Sequence, residues 1–263
     1  MYIPTLEGII DRRLLVNYRV DPNSLQRLLP DPFRPKLIHG MGIAGICLIR
    51  LKQIRPRAWP TFLGFPSENA AHRIAVEWEE HGHYREGVYI PRRDTSSRFN
   101  TLIGGRLFPG VHQHASFRVA EENETFSVQI TSDDGETRVA VEAQIASQLP
   151  EHSIFASLEE ASAFFEHGSL GYSVTNKAGT LDGLELRCKN WKVEPLQVVK
   201  AQSSFFDDQE RFSSGSVELD CALLMRTIHH EWSVREPFSS TEDESSAKSF
   251  HETVGRQREA TPL

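Results

Sequence analysis

The sequence predicts a β-rich α+β chain, with short helices outside a mostly antiparallel sheet or barrel. Three observations lead there. About ten short segments have the alternation or the apolar, turn-bounded character of strands. Helix signals are confined to two short segments, 21–30 and 158–167. The strand candidates also follow one another too closely for βαβ units, whose crossovers need a dozen or more residues.

Residues 12–20, RRLLVNYRV, read as a strand with Leu15, Asn17 and Arg19 on one face and Leu14, Val16 and Tyr18 on the other. In DPNSLQRLLP, Asp21 suits an N-cap, Pro22 the first helical position and Pro30 a stop, which predicts a short helix. Residues 40–54 are mostly apolar but carry Gly40, Gly42 and Gly45. Three glycines weaken a helix, so this segment predicts a buried strand with a bend or bulge. After a loop from Pro56 to Pro66, strands 71–78 and 84–90 follow, joined by a hairpin at Gly82, with Pro91 ending the second. Residues 92–110 predict only a tight turn and a short extended piece at GGRLFPG.

Strands 111–120, 124–132 and 136–146 come next, the last two joined by the turn Asp133–Glu136. The clearest helix is 158–167. Ser157 and Glu160 have capping-box spacing, Ala161, Phe164 and Phe165 form an apolar stripe, and Gly168 is a C-terminal stop. Further strands are predicted at 170–175, 183–188, 191–199 and 216–225. From about Pro237 the chain is polar, Ser-rich and acidic. Residues 1–237 are thus expected to form one β-rich domain and 238–263 a disordered tail.

Composition narrows the function classes. A chain of 263 residues can bury about 75% of its unfolded surface and needs no disulfide or metal staple. The formal net charge of −7 argues against a general nucleic-acid binder. No apolar run reaches membrane-spanning length, and the N-terminus lacks signal-peptide features. The three cysteines, Cys47, Cys188 and Cys221, are odd in number and far apart, so a reducing cytoplasm is the expected setting. There is no GxGxxG after a strand, no phosphate-binding loop and no GxSxG. No cofactor or metal is expected.

The densest polar cluster lies between residues 68 and 118. It contains Glu68, Asn69, His72 and Arg73, then Arg92, Arg93 and Asp94, then Arg106, His112 and His114. Polar groups at strand ends are often aimed at a cavity mouth, although each also suits an ordinary solvated surface. Arginines stay charged and offer a planar fork of donors, so an inward arginine points to an anionic ligand. By strand period Arg92 and Arg93 face opposite ways, which leaves at least one solvated. His112 and His114 would share a face, half of a metal site at most, and His81 and His83 show how cheaply that spacing arises. Cys47, Cys221, Trp191, Phe205 and Phe206 read as core.

Four segments carry a resemblance: 12–55, ending HGMGIAGICLIRLKQIRPR; SENAAHRIAVEW; REGVYIPRRDTSSRFN; and GGRLFPGVHQHASFRV. They resemble an uncharacterised bacterial domain family grouped with the acetoacetate decarboxylase-like superfamily, over about residues 5–235. The resemblance implies a bent, cone-like antiparallel β-barrel around a pocket. The decarboxylase forms a Schiff base through a lysine in a Pro-Lys-Lys stretch, and the similar stretch here is Pro91-Arg92-Arg93. A guanidinium is no amine nucleophile near neutral pH, so imine chemistry is excluded at this position. The superfamily's active-site carboxylate falls near Glu68, and Arg73 lies in the same matching stretch.

Two readings carry equal weight. In one, a pocket binds a small carboxylate or oxo acid through Arg92, Arg93, Arg73, Arg106, His112 and His114. In the other, the same pocket belongs to a lyase, hydratase or isomerase using Glu68 or a histidine as base. A third reading is a protein-interaction module. The partner expected is a small anionic molecule, with a homo-oligomer left open.

Overall fold

The computed structural model describes residues 5–106 and 108–239. Strand β1 (Thr5–Val20) is followed by helix α1 (Pro22–Gln26), the short strands β2 (Arg34–Pro35) and β3 (Leu37–Ile38), and the long strand β4 (Met41–Pro56). A 3-10 turn at Thr61–Leu63 leads into β5 (Phe65–Glu80), β6 (His83–Thr95) and α2 (Arg98–Ile103). The meander β7 (Gln113–Glu122), β8 (Thr125–Ser132) and β9 (Arg138–Ile145) precedes α3 (Leu158–His167). The chain closes with β10 (Leu170–Val174), β11 (Thr180–Cys188), β12 (Glu194–Ser203) and β13 (Val217–Ser239).

The sheet curls into a ring-like arrangement. Strands β13, β1, β4, β5, β6, β10 and β11 pair in that order, and β11 pairs back to β13. A second circuit leaves β6 through β7, β8, β9 and β12 and returns to β13. Pairings are antiparallel except β10–β6 and β6–β7. The shared strands β1, β4 and β5 therefore bury both faces. Leu14, Val16, Ile46 and Leu48 pack with Val128 and Val141 on the side of the second circuit. Leu15, Cys47, Ile49 and Ala75 pack with Phe165 and Met225 on the side of the first. The middle of β4, Ile43–Ile49, reads as a near-continuous apolar run for this reason.

Local signals explain the elements that match expectation. Asp21 accepts from the Ser24 amide at 2.9 Å to start α1, and Ser157 accepts from the Glu160 amide at 3.2 Å to start α3. His81 and Gly82 both have positive φ, the turn that the β5–β6 hairpin requires. At Gly45 a Cβ would lie 2.4 Å from the Val16 carbonyl, so glycine there permits the close approach of β1 and β4.

Several expectations need correction. The bend in β4 comes at Gln53, with φ of 55° and a register shift between Leu51 and Ile54, and not at the glycines. Pro91 does not end β6. The pairing shifts there, so that Ile90 and Pro91 together oppose Arg73, and a bulge needs no proline N–H. Residues 98–103 form α2, capped by Ser97, in a stretch for which the sequence predicts no helix. The strand β13 runs past Pro237, and Phe238, assigned to the tail, packs against Phe33 at 5.6 Å. The remainder of the expected tail, 240–263, lies outside the described residues.

Candidate functional site

The first circuit encloses a cavity of about 450 Å³. All seven of its strands contribute lining residues: Arg13 from β1, Cys47 from β4, Arg73 from β5, Arg93 from β6, Gly171 from β10, Leu184 from β11 and Trp232 from β13. Along β5 the alternate positions Phe65, Ser67, Asn69, Ala71 and Arg73 all line the cavity, as do Pro66 and Ala70. Most of the remaining wall is apolar.

Four arginines line the cavity, and one of them, Arg55, is paired to Glu7 at 2.5 Å. The other three form no ion pair with a carboxylate among the described residues. The Arg13 Nε donates to Cys47 Sγ at 3.1 Å, and its Nη1 reaches only Met225 Sδ at 3.8 Å. Both are weak acceptors. The Arg73 Nη2 donates to Asn17 Oδ1, its Nε has no partner, and its guanidinium stands 4.8 Å from the Phe165 ring centroid. The Arg93 Nε donates to Ser173 Oγ at 2.8 Å. Burial lowers the Arg73 pKa to about 10, partly offset by Cys47. Burial likewise lowers Arg93 to about 10, with Cys47 and Asp182 opposing the shift. Both therefore stay charged at neutral pH. Burying a cation costs several kcal/mol; Asp182 offsets part of this at Arg93, and an anion in the cavity would offset more.

The bulge at Pro91 decides which arginine enters. Val88 and Ile90 line the cavity, so unbroken alternation would bring Arg92 inward. The extra residue reverses the phase and brings Arg93 inward instead. Arg92 lies on the other face, bonded to Asp94 at 2.7 Å and to Asp134 at 2.8 Å. Burial lowers its pKa, but the bonds to Asp134 and Asp94 outweigh this and hold it above the ordinary value. Asp94 is fully buried and also accepts from Thr137 Oγ1 at 3.1 Å. The opposed faces expected from the strand period are present, but Arg92 is ion-paired and not simply solvated.

His112 also lines the cavity. Its Nδ1 donates to the Gly110 carbonyl at 2.9 Å, which fixes the proton there and leaves Nε2 as the acceptor. Burial, then the charge of Arg93, lowers its pKa to about 3, so the ring is neutral.

Three expected site residues lie elsewhere. Glu68 is not among the β5 residues that line the cavity. It bonds Arg12 at 2.5 Å and Arg50 at 2.6 Å, in a network joined by Glu121. It does not line the cavity and is not placed to act as a base in it. His114 bonds Asp133 at 2.8 Å outside the cavity, so it shares no site with His112. Arg106 is exposed beyond α2 and lines no part of the cavity. No cluster of metal-ligating side chains occurs among the described residues.

Arg13, Asn17 and Ser173 were missed. The available signal was a charged pair, Arg12-Arg13, beside the apolar run Leu14–Val16, which puts one arginine on each face of the strand. Such cations must either be paired, as Arg12 is, or face a cavity, as Arg13 does. Trp191, expected in the core, lines the cavity and donates to Ser162 Oγ at 2.9 Å.

Comparison with known proteins agrees with this architecture. Residues 10–236 match the model of the DUF2071 family, described as an uncharacterized conserved protein. The chain belongs to that family. No curated protein sequence matches it. Solved structures of similar fold include an acetoacetate decarboxylase from Legionella pneumophila, with 12% identity, a TM-score of 0.55, and 89% of this chain and 88% of that one covered. The enduracididine biosynthesis enzyme MppR complexed with pyruvate is similar at 12% identity and a TM-score of 0.58, with 91% of each chain covered. An acetoacetate decarboxylase-like enzyme from Sphingomonas wittichii gives 12% identity and a TM-score of 0.53, over 91% of this chain and 93% of that one. At such identities the likeness concerns the fold, which is that of the acetoacetate decarboxylase-like proteins. Among the described residues no helix is long and apolar enough to cross a membrane.

Proposed function

We propose that this DUF2071 chain binds a small carboxylate or oxo acid in the ring cavity, held by Arg13, Arg73 and Arg93, without forming an imine. One observation carries the reading: three guanidinium groups line one cavity, and the hydrogen bonds they make go to the neutral partners Cys47, Met225, Asn17 and Ser173, with the charge of Asp182 acting on Arg93 alone. A carboxylate matches the donor fork of arginine in charge and in plane. No lysine stands among the described lining residues, and an imine needs a primary amine. A neighbour of like fold was solved with pyruvate, an acid of this class.

Thermal-shift screening of small carboxylates, followed by borohydride reduction in the presence of pyruvate or acetoacetate, tests the reading. The expected result is stabilisation by acids with no mass adduct on the protein. Stabilisation by none of them, or a reduced adduct on any residue, overturns it.

One observation favours a catalytic version. His112 presents a proton-accepting Nε2 to the cavity that Arg93 enters. This pairing could remove a proton α to a carbonyl, with the electrons moving to the carbonyl oxygen and Arg93 balancing the enolate charge. The proton returns to carbon in the product, as in an isomerase or lyase. With an ordinary pKa lowered to about 3, the ring is a weak base until a bound anion offsets Arg93. Exchange of the pyruvate methyl protons in D₂O, followed by NMR, distinguishes this version. Exchange lost in His112→Gln supports it, and no exchange with wild-type protein leaves the binding reading alone.

A further inference from the structure

We infer that the ligand is an amphipathic monoanion, with its acid head on the deep arginines and an apolar chain reaching to an aromatic lip at the cavity mouth. The inference rests on the proposed anion site and adds the remainder of the molecule. The lining of β5 runs from Arg73, 5% exposed, to Phe65, 62% exposed. At about 3.3 Å per residue the two ends lie roughly 26 Å apart along the strand. A three-carbon keto acid would occupy only the arginine end of such a space. The cavity volume of about 450 Å³ falls within the ~300–1,000 Å³ of sites for much larger ligands.

The distribution of exposed apolar side chains gives the second observation. Among the described residues nine large hydrophobic side chains are exposed, and six of them lie on two segments, 59–65 and 99–102. Trp59, Leu63, Phe65 and Phe99 of that set also line the cavity, and the rings of Phe65 and Phe99 stand 6.1 Å apart. Exposed hydrophobics scattered singly need no explanation, but a patch continuous with a cavity marks a binding surface. Between lip and arginines the wall continues through Leu51, Ile49 and Ile103. The cavity therefore offers cations at one end and a mainly apolar path to the other, interrupted on the β5 side by Ser67 and Asn69. That pattern matches an alkyl or aryl chain bearing one acid group.

Calorimetric titration with pyruvate, butanoate, octanoate, decanoate and decan-1-ol, all below their micelle concentrations, tests the inference. Burial of each added methylene should tighten binding roughly threefold to fourfold from butanoate to decanoate. Decan-1-ol should bind at least tenfold more weakly than decanoate. Phe65→Ser, at an exposed ring, should weaken decanoate by roughly tenfold and leave pyruvate unchanged. If short acids bind and affinity does not rise with chain length, the inference falls while the arginine site stands. If decan-1-ol equals decanoate, or no acid binds, the arginine site falls as well. If Phe65→Ser dissociates a dimer in size-exclusion chromatography while decanoate affinity is unaltered, the lip belongs to a second copy of this chain and the inference is overturned.

Discussion

Arg93 on β6 stands opposite Ala71 on β5, so its guanidinium and that of Arg73, two residues further along β5, enter one cavity from adjacent strands. Beyond burial, the charge of Arg13, which lines the same cavity, further lowers the Arg73 pKa. The short-range partners of Arg93 and Arg73, Ser173 and Asn17, are neutral. This pair is the electrostatic centre of the site, and Arg13 and His112 complete its polar part.

Removing one of these arginines should weaken carboxylate binding while the fold persists. Arg93→Gln is expected to raise the Kd for pyruvate about tenfold to a hundredfold, the loss of one charge-assisted hydrogen bond worth ~1.5–3 kcal/mol. The neighbouring Arg92→Gln should leave that Kd within about twofold, because Arg92 lies on the other face of the strand.

The same pair of variants should differ in stability in the reverse sense. Arg92→Gln strips the fully buried Asp94 of its guanidinium partner. Breaking a buried pair costs ~3–5 kcal/mol, and partial exposure of Arg92 reduces this to about 2–3 kcal/mol. Urea denaturation should report the loss. Arg93→Gln removes a charge that only Asp182 offsets in part, and its effect on stability should stay within about 1 kcal/mol.

Acid should destabilise the protein through its histidines. Burial is the first cause of the lowered pKa of His72 and His112, each about 3, and of His230, about 4. Each is neutral in the folded state, whereas an unfolded histidine titrates near ~6.5. Between those values the unfolded chain binds more protons, so the stabilisation is complete above pH 6.5 and is lost as pH falls toward 4. The melting temperature should fall across that window. In His230→Phe the fall should be shallower, since one of the three contributing groups is gone. An unchanged slope would contradict the assignment.

Backbone proximity gives a prediction far from the arginines. A Cβ at residue 45 would lie 2.4 Å from the Val16 carbonyl and 3.3 Å from Asn17 Cα. Gly45→Ala should force β1 and β4 apart and cost about 1–3 kcal/mol, as overpacking does. Because Asn17 also orients Arg73, carboxylate binding should weaken in the same variant.

Elements governed by local rules were legible in the sequence. The capping pattern at Ser157 and Glu160 gave α3 residue for residue, and the turn at Asp133–Glu136 gave the β8–β9 hairpin. The arginine pair was legible as a feature, but which of the two enters the cavity was not. That depends on the bulge at Pro91, a property of the pairing with β5 that the strand period cannot show. Glu68 and Arg13 illustrate the same limit. Strands buried on both faces display no polar side, so alternation groups residues by face without saying which face looks into the cavity. The lip was hidden for another reason: Phe65 and Phe99 are far apart in sequence and meet only through the pairing of β5 with β6.

Calorimetric titration of pyruvate into wild-type protein, Arg93→Gln and Arg92→Gln tests the central claim most directly. Saturable binding to wild type and to Arg92→Gln, lost or weakened at least tenfold in Arg93→Gln, is the result the account predicts. No binding to wild-type protein, or equal binding to all three, would contradict it.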